Sequence, residues 1–329
     1  MNNGIDVTII IVSYNTKRLL EACLHSIYKN INGLNFEVIV VDNNSKDDSQ
    51  EMVKNNFSHV KLIQNNENIG FSKANNQAIR LAEGRFILLL NSDTLIMSKK
   101  FDLMVSFIEE HQRVGVLGPK LVDPEGSPQI SIDKFPTPFA VFLRFCVPRV
   151  VSTGLKNFID SSNLKNFLGN RVKTYFTFNN INFPIEVDMI SGACMLVKKE
   201  IIEQVGLLDE NFFLYSEDVD WCFRIKKAGW KIVWLPQVEI VHYGGKSSGG
   251  DFNLFPLCQA VRSEYYYFKK HHKGINSFIV KLLLSVALIA RAPWFLYHCH
   301  IFNKQNKNIN LLQIYHAILM NIITGRLEK

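Results

Sequence analysis

Several acidic residues and one histidine stand where a run of apolar residues stops. Asp42 closes Val38-Ile-Val-Val-Asp42 and precedes Asn43-Asn44-Ser45. A carboxylate there can accept hydrogen bonds from a nucleobase or ribose. Asn43, Asn44 and Ser45 also suit a helix cap, with Asp47 and Asp48 in the first turn. Asp93 ends Asn91-Ser92-Asp93 after Phe86-Ile-Leu-Leu-Leu90. A hard oxygen ligand at that point can hold Mg²⁺ or Mn²⁺ against a diphosphate. The same three residue types also make turns. Glu217-Asp218-Val219-Asp220 is the densest acidic stretch. One of its carboxylates can serve as a general base. Alternatively, Asp220 pairs with Arg224 one helical turn on, and Ser216 caps the helix. His242 ends a strand-like run and precedes Tyr243-Gly-Gly-Lys-Ser-Ser-Gly-Gly250. That glycine loop can close over phosphates with Lys246 as counter-charge, and His242 can complete a metal shell with Asp93.

These residues need a scaffold that gathers strand ends. Short apolar runs at Val7–Val12, Phe36–Val41, Val60–Ile63, Phe86–Leu90 and Val114–Leu117 alternate with helically spaced segments such as Leu19, Leu20, Cys23, Leu24, Ile27. Runs apolar on both faces, alternating with helices, predict an α/β fold whose mostly parallel sheet is flanked by helices. Ligands of such sheets sit at the carboxyl ends of the strands. Ser13 and Asn15 after the first run, and Ser92 after the fourth, are therefore candidate donor-binding residues beside Asp42. The first run is followed by Ser13-Tyr-Asn-Thr-Lys17, with no GxGxxG there and no GxxxxGK[ST] anywhere. Without either phosphate loop, a metal is the natural way to neutralise phosphates.

Residues 123–187 carry six prolines and little periodicity, and read as an irregular insert. Order returns at Val187–Val197. A helix is expected near Lys199–Val205, then strands at Lys231–Leu235 and Glu239–His242. The division expected is a first half at 1–122, the insert at 123–187 and a second half at 188–252, together one domain of 1–252. A basic helical tail follows at 253–329. From Asn253 onward ten Lys or Arg stand against two acids, a balance of +8. With +7 on the whole chain, the rest carries −1. Phe278–Phe302 is strongly apolar, but Lys281, Arg291 and Pro293 interrupt it, and its uncharged run Leu282–Ala290 is far below the ~20 residues a span needs. Leu311, Leu312, Tyr315, Ile318, Leu319 and Ile322 fall on one helical face. Basic flanks beside apolar faces suit peripheral attachment to a membrane surface, or packing on the core or on a second copy. The charge sits in an apolar tail and not on a polar, aromatic-bearing face, which argues against nucleic acid. Six cysteines without a CxxC pair argue against a zinc cluster or disulfide scaffold. The first residues lack a basic n-region, so no signal peptide is expected.

Taken in order, these pieces resemble the family-two glycosyltransferases of the GT-A (nucleotide-diphospho-sugar transferase) fold. The matching runs are Val7–Asn15, Val41–Ser45, Asn66–Asn76, Leu88–Asp93, Ser191–Ala193, Gly206–Phe213, Glu217–Asp220 and His242, and the nearest flavour is the rhamnosyltransferase-like branch. The resemblance implies roles. Asp42 binds the nucleoside. Asn68, Gly70, Phe71 and Asn76 line the donor site. Asp93, with His242, holds the divalent cation, and Asp218, in the pair with Glu217, is the catalytic base. This chain reads Asn-Ser-Asp where the family's form is Asp-x-Asp, one carboxylate fewer. The implied reaction is inverting transfer from a nucleoside-diphosphate sugar to a polyprenyl-diphosphate-linked glycan at the cytoplasmic face of the cell membrane. A homo-oligomer is compatible with this reading. The rival reading is a non-catalytic sugar-nucleotide- or lipid-binding subunit.

Overall fold

A computed structural model describes residues 4–97, 99–146, 181–244, 254–272, 274 and 277–290. Lys246 and residues 291–329, including the Leu311–Ile322 face, lie outside the described residues, as does most of the 123–187 stretch. The chain forms two compact units. One is Met1–Phe135 with Tyr175–Gly250, and the other is Pro136–Thr174 with Asp251–Lys329.

The first unit begins β1 (Val7–Ser13), α1 (Lys17–Asn30), β2 (Phe36–Asp42), α2 (Ser49–Asn56), β3 (Lys61–Gln64), α3 (Phe71–Leu81) and β4 (Phe86–Asn91). It continues through β5 (Thr94–Ile96), α4 (Asp102–Glu110), β6 (Val114–Val122), β7 (Pro128–Gln129) and β8 (Ile132–Asp133). In the second unit, α5 spans Pro138–Cys146. The first unit resumes with β9 (Ile185–Val187), β10 (Met189–Ile190), β11 (Cys194–Lys198), α6 (Lys199–Val205), α7 (Glu217–Lys227) and β12 (Lys231–His242). Finally, α8 (Leu254–His271) belongs to the second unit.

Branched apolar residues make the central strands because a pleated surface buried on both sides accommodates them. Alternation then divides their side chains between two cores. Val7, Ile9 and Ile11 of β1, with Val38 and Val40 of β2, pack towards α1, α2 and α4. Ile10, Ile39 and Val41 pack towards α3, α6 and α7 on the other face. Each such side chain, fully buried, contributes about 1.5–3 kcal/mol. The sheet order is β3-β2-β1-β4-β11-β6-β12-β5. Strands β3, β2, β1 and β4 are parallel, as are β6 and β12, whereas β11 and β5 run antiparallel to their neighbours. Ser13 pairs with Asp42 and Val12 with Asn91, so three expected site segments end on one rim.

Only Ser92 and Asp93 separate β4 from β5, yet four inter-strand steps separate them in the sheet. A flat sheet would put them roughly 19 Å apart at ~4.8 Å per step. Three Cα–Cα links cover at most about 11 Å. The sheet therefore curls back on itself at this end, and the curl carries the end of β12 to the Asn91-Ser92-Asp93 turn. The register fixes it: His242 pairs with Thr94, and Tyr243 N–H donates to Asp93 C=O at 2.9 Å.

Three local expectations are corrected. The two strands expected at 231–235 and 239–242 are one strand, β12, with an irregularity between Leu235 and Glu239. Pro236 removes an N–H from the ladder without ending the extended chain. Ser45 caps no helix, since α2 starts at Ser49 and Ser45 Oγ accepts from Asn15 N–H at 2.9 Å. Ser216 holds the N-cap position of α7 in left-handed backbone, at φ +62°, and makes no capping hydrogen bond there.

The second unit takes α5 out of the stretch read as an insert and groups it with the tail. Arg144 of α5 pairs with the buried Glu264 of α8. Residues 277–290 form a further helix. Val280, Leu284, Ala287 and Leu288 are buried on it, while Phe278, Leu282, Val286 and Ile289 are 45–69% exposed. Among the described residues, no helix is long and apolar enough to cross a membrane.

Candidate functional site

The rim where β1, β2 and β4 end gathers hydroxyl, amide and carboxylate groups. Asp42 is 1% exposed. Its Oδ1 accepts from Ser45 N–H at 2.9 Å and from Gln50 Nε2 at 2.7 Å. Gln64 Nε2 donates in turn to Gln50 Oε1. Oδ2 of Asp42 is buried without a partner, and a buried carboxylate oxygen left so is costly. Donors from a bound molecule would satisfy it. Ser13, Thr16 and Ser92 form a buried hydroxyl chain with both spacings at 2.9 Å, tying β1 to the Asn91-Ser92-Asp93 turn. Asn15, at φ +54°, lends its Oδ1 to Lys46 N–H at 2.7 Å, so it braces the Asp42 loop.

The Asn66–Asn76 segment is held by its own amides. Asn68 Oδ1 accepts from Gly70 N–H at 3.0 Å, and Asn43 Nδ2 donates to Gly70 C=O at 3.2 Å. Gly70 is at φ +87°, and a Cβ there would lie 2.7 Å from Phe213 C=O. Phe71 N–H donates to that same carbonyl at 2.7 Å. Asn76 is buried with its amide spent on protein. It donates to Leu208 C=O at 2.9 Å and accepts from Leu208 N–H at 3.1 Å. Its place is to join α3 to the 206–210 loop.

Asp93 and His242 meet, with His242 Nε2 3.3 Å from Asp93 Oδ1. Asn91 Nδ2 lies 3.4 Å from the same nitrogen. The other ring nitrogen, Nδ1, is 2.9 Å from Gln129 Oε1, and Gln129 Nε2 donates to His242 C=O at 2.7 Å. In the neutral ring, the Gln129 oxygen favours the proton on Nδ1, which leaves the Nε2 lone pair towards Asp93. Acceptor thus faces acceptor, an arrangement that a cation between them relieves. Among the described residues, no three His, Cys, Asp or Glu side chains form a metal cluster. One carboxylate and one imidazole suit a divalent ion whose other positions are filled by diphosphate oxygens and water, so the residues present fit Mg²⁺ or Mn²⁺.

Glu217 and Asp218 open α7 directly after Tyr215 and Ser216, two successive residues at φ +70° and +62°. Left-handed backbone at a tyrosine costs about 1–3 kcal/mol and persists only where packing over-determines it. Asp218 Oδ2 accepts from Gly192 N–H at 2.9 Å and Oδ1 from Val219 N–H at 2.8 Å. Glu217 points inward, 5% exposed, with Oε2 unpartnered. Burial first, and the neighbouring Asp218 second, push its carboxyl well above the ordinary value. Asp220 pairs with Arg224 at 2.9 Å. A short path joins Asp218 to the Asp93–His242 pair: Gly192 is followed by Ala193, whose C=O accepts from Asn91 N–H at 3.0 Å.

Sequence reasoning did not single out Gln129 or Gln50, and it gave Gly192, within the matching run Ser191–Ala193, no role. Gln129 lies in a proline-rich stretch without periodicity, and its contact exists only because β7 folds back beside β6. Gly192 carries no side chain, and only the backbone shows its hydrogen bond.

Comparison with known proteins accords with this geometry. The family model described as glycosyl transferase family 2 matches residues 8–206, and a glycosyltransferase-like family 2 model matches 174–255. The chain is 27% identical over 250 residues to the N-acetylglucosaminyl-diphospho-decaprenol L-rhamnosyltransferase of Mycobacterium tuberculosis, covering 72% of this chain and 76% of that one. It is 26% identical over 288 residues to the dTDP-rhamnosyl transferase RfbF of Shigella flexneri, covering 84% and 82%. Among solved structures, the mannosyltransferase PcManGT from Pyrobaculum calidifontis, in complex with GDP-Man and Mn²⁺, aligns with TM-score 0.53 at 16% identity, over 99% of this chain and 88% of that one. GalNAc-T7 with UDP, GalNAc and Mn²⁺ aligns with TM-score 0.55 at 14% identity, over 82% and 48%. With the GT-A fold shared and the family model matched along more than half of this chain, the chain belongs to glycosyltransferase family 2.

Proposed function

We propose that this glycosyltransferase moves a sugar, rhamnose being the leading candidate, from a nucleoside diphosphate to a hydroxyl of a polyprenyl-diphosphate-linked glycan, with inversion. The setting is assembly of a cell-surface polysaccharide of O-antigen or capsule type at the cytoplasmic face of the membrane. The observation that carries the reading is the Asp93–His242 pair at 3.3 Å, tied through Ala193 and Gly192 to Asp218. The relatives' printed substrates, a diphospho-decaprenol and a dTDP-sugar, support the acceptor and donor classes.

In this reading the unpartnered Oδ2 of Asp42 accepts from the nucleoside. Asn68 and Gly70 shape the backbone beside it. Asp93 and His242 hold Mg²⁺ or Mn²⁺ at the donor diphosphate. When bound, the ion offsets the charge that builds on the leaving diphosphate. Lys246, four residues after His242 in the sequence, adds counter-charge. Asp218 takes the proton from the acceptor hydroxyl as that oxygen attacks the anomeric carbon on the face opposite the diphosphate. The Gly192 and Val219 N–H groups hold the Asp218 carboxylate in place for that transfer. Burial pushes the neighbouring Glu217 carboxyl well above its ordinary range, which disfavours a second negative charge beside Asp218.

The test is release of nucleoside diphosphate from a panel of sugar nucleotides, with Mn²⁺, Mg²⁺ or EDTA and a membrane extract as acceptor source. Turnover of one donor, abolished by EDTA and lowered about 10²–10⁴-fold by Asp218→Asn, is the expected result. Failure of every donor to bind or react would favour a non-catalytic binding subunit.

A further inference from the structure

We propose that Gln129 is a positioning residue, which locks His242 so that its Nε2 lone pair points at Asp93. The inference rests on reading Asp93 and His242 as the residues that hold the cation at the donor diphosphate. The lock is built from two hydrogen bonds with opposite demands. His242 C=O can only accept, so the amide nitrogen of Gln129 must face it, at 2.7 Å. That leaves Oε1 of Gln129 facing Nδ1 at 2.9 Å, and an amide oxygen can only accept. Nδ1 must then carry the proton, and in the neutral ring Nε2 carries none. One amide therefore sets both the tautomer and the ring orientation.

The fold delivers Gln129 by a short hairpin. Asp123 N–H donates to Ser127 C=O at 2.8 Å, and Asp123 Oδ1 accepts from Ser127 N–H at 2.7 Å. The hairpin sets Gln129 opposite Leu121 of β6. Strand β12 flanks the same end of β6 on its other side, with Val241 opposite Val122. Gln129 thus reaches across one strand to the residue after Val241. Gly244, at φ +57°, turns the chain over the lock, and a Cβ there would stand 3.6 Å from the Gln129 amide.

Nitrogen-15 long-range correlation spectra of the full chain, with histidines labelled, read the tautomer directly, and His242→Gln assigns the signal. The expected wild-type state is Nδ1–H with a bare Nε2. Gln129→Ala should lose that preference and populate Nε2–H. Gln129→Glu, which still accepts at Nδ1, should keep it. A proton on Nε2 of the neutral ring in the wild type, or an unchanged tautomer in Gln129→Ala, overturns the proposal. Mn²⁺ titration by electron paramagnetic resonance, with UDP as the diphosphate probe, separates this proposal from the reading beneath it. Gln129→Ala is expected to weaken Mn²⁺ about 10–100-fold. If Asp93→Asn leaves Mn²⁺ binding unchanged, the cation reading fails, while the spectra still decide the role of Gln129.

Discussion

At the scale of single residues, Glu217 makes the sharpest prediction. Its carboxyl is buried beside Asp218, and burial raises its folded pKa above the ordinary 4.5. A raised carboxyl contributes its stability below the unfolded value and loses it as pH climbs through the folded one. Glu217→Gln keeps the shape without that loss. The melting temperature of the variant should therefore gain on wild type from about pH 4.5 upward and level off above the raised pKa. A difference that stays flat with pH would mean Glu217 is not held neutral. Asp42, Asp93 and His242 stand out in the sequence because each ends an apolar run at a strand end, whereas Asp218 is named only through the family resemblance. Gln129 does not stand out, because its meaning depends on a neighbour 113 residues away. Asn76 was placed in the right region, but its buried amide is taken up by the Leu208 backbone.

At the scale of elements, the start of α3 depends on one backbone conformation. Gly70 sits at φ +87° with Phe213 C=O and ring atoms within 3.0 Å of where a Cβ would go. Gly70→Ala should cost about 1–3 kcal/mol in stability, measured by urea unfolding, and should weaken nucleotide binding as the Asn68–Phe71 turn moves. Unchanged stability would mean that the turn adapts freely. The strand and helix texture of the first 122 residues was readable because its apolar runs and helical stripes are long. Boundaries set by tertiary pairing were not. Nothing local says that 231–242 stays one strand past Pro236, and nothing local moves the start of α2 from Ser45 to Ser49. The tight turn at Tyr215 and Ser216, both in left-handed backbone, carries no glycine to announce it.

At the scale of the whole molecule, the helix at 277–290 presents an apolar stripe of Phe278, Leu282, Val286 and Ile289 on the face opposite its buried residues. Peripheral attachment through this stripe belongs to the proposed function, since a lipid-linked acceptor must be met at a surface. Leu282→Glu with Val286→Glu should abolish pelleting with anionic vesicles while leaving donor hydrolysis in solution unchanged. If instead the double variant only turns a dimer into a monomer on gel filtration, a second copy is what covers the stripe. The basic, apolar character of the tail was evident from composition. Its grouping with α5 was not, because a partnership between residues 120 apart, Arg144 and Glu264, leaves no mark in either segment.

The turn that joins β4 to β5 also sets an order in time. Asn91 and His242 are 151 residues apart in sequence, while β1 to β4 come from the first 91 residues. As the chain leaves the ribosome, the Asp42 end of the sheet has all of its strands long before β12 exists to pair with β5. Contacts of such long sequence separation form late and slowly. A chain stalled or clipped before residue 242 therefore carries its first parallel strands without the His242 side chain that faces Asp93.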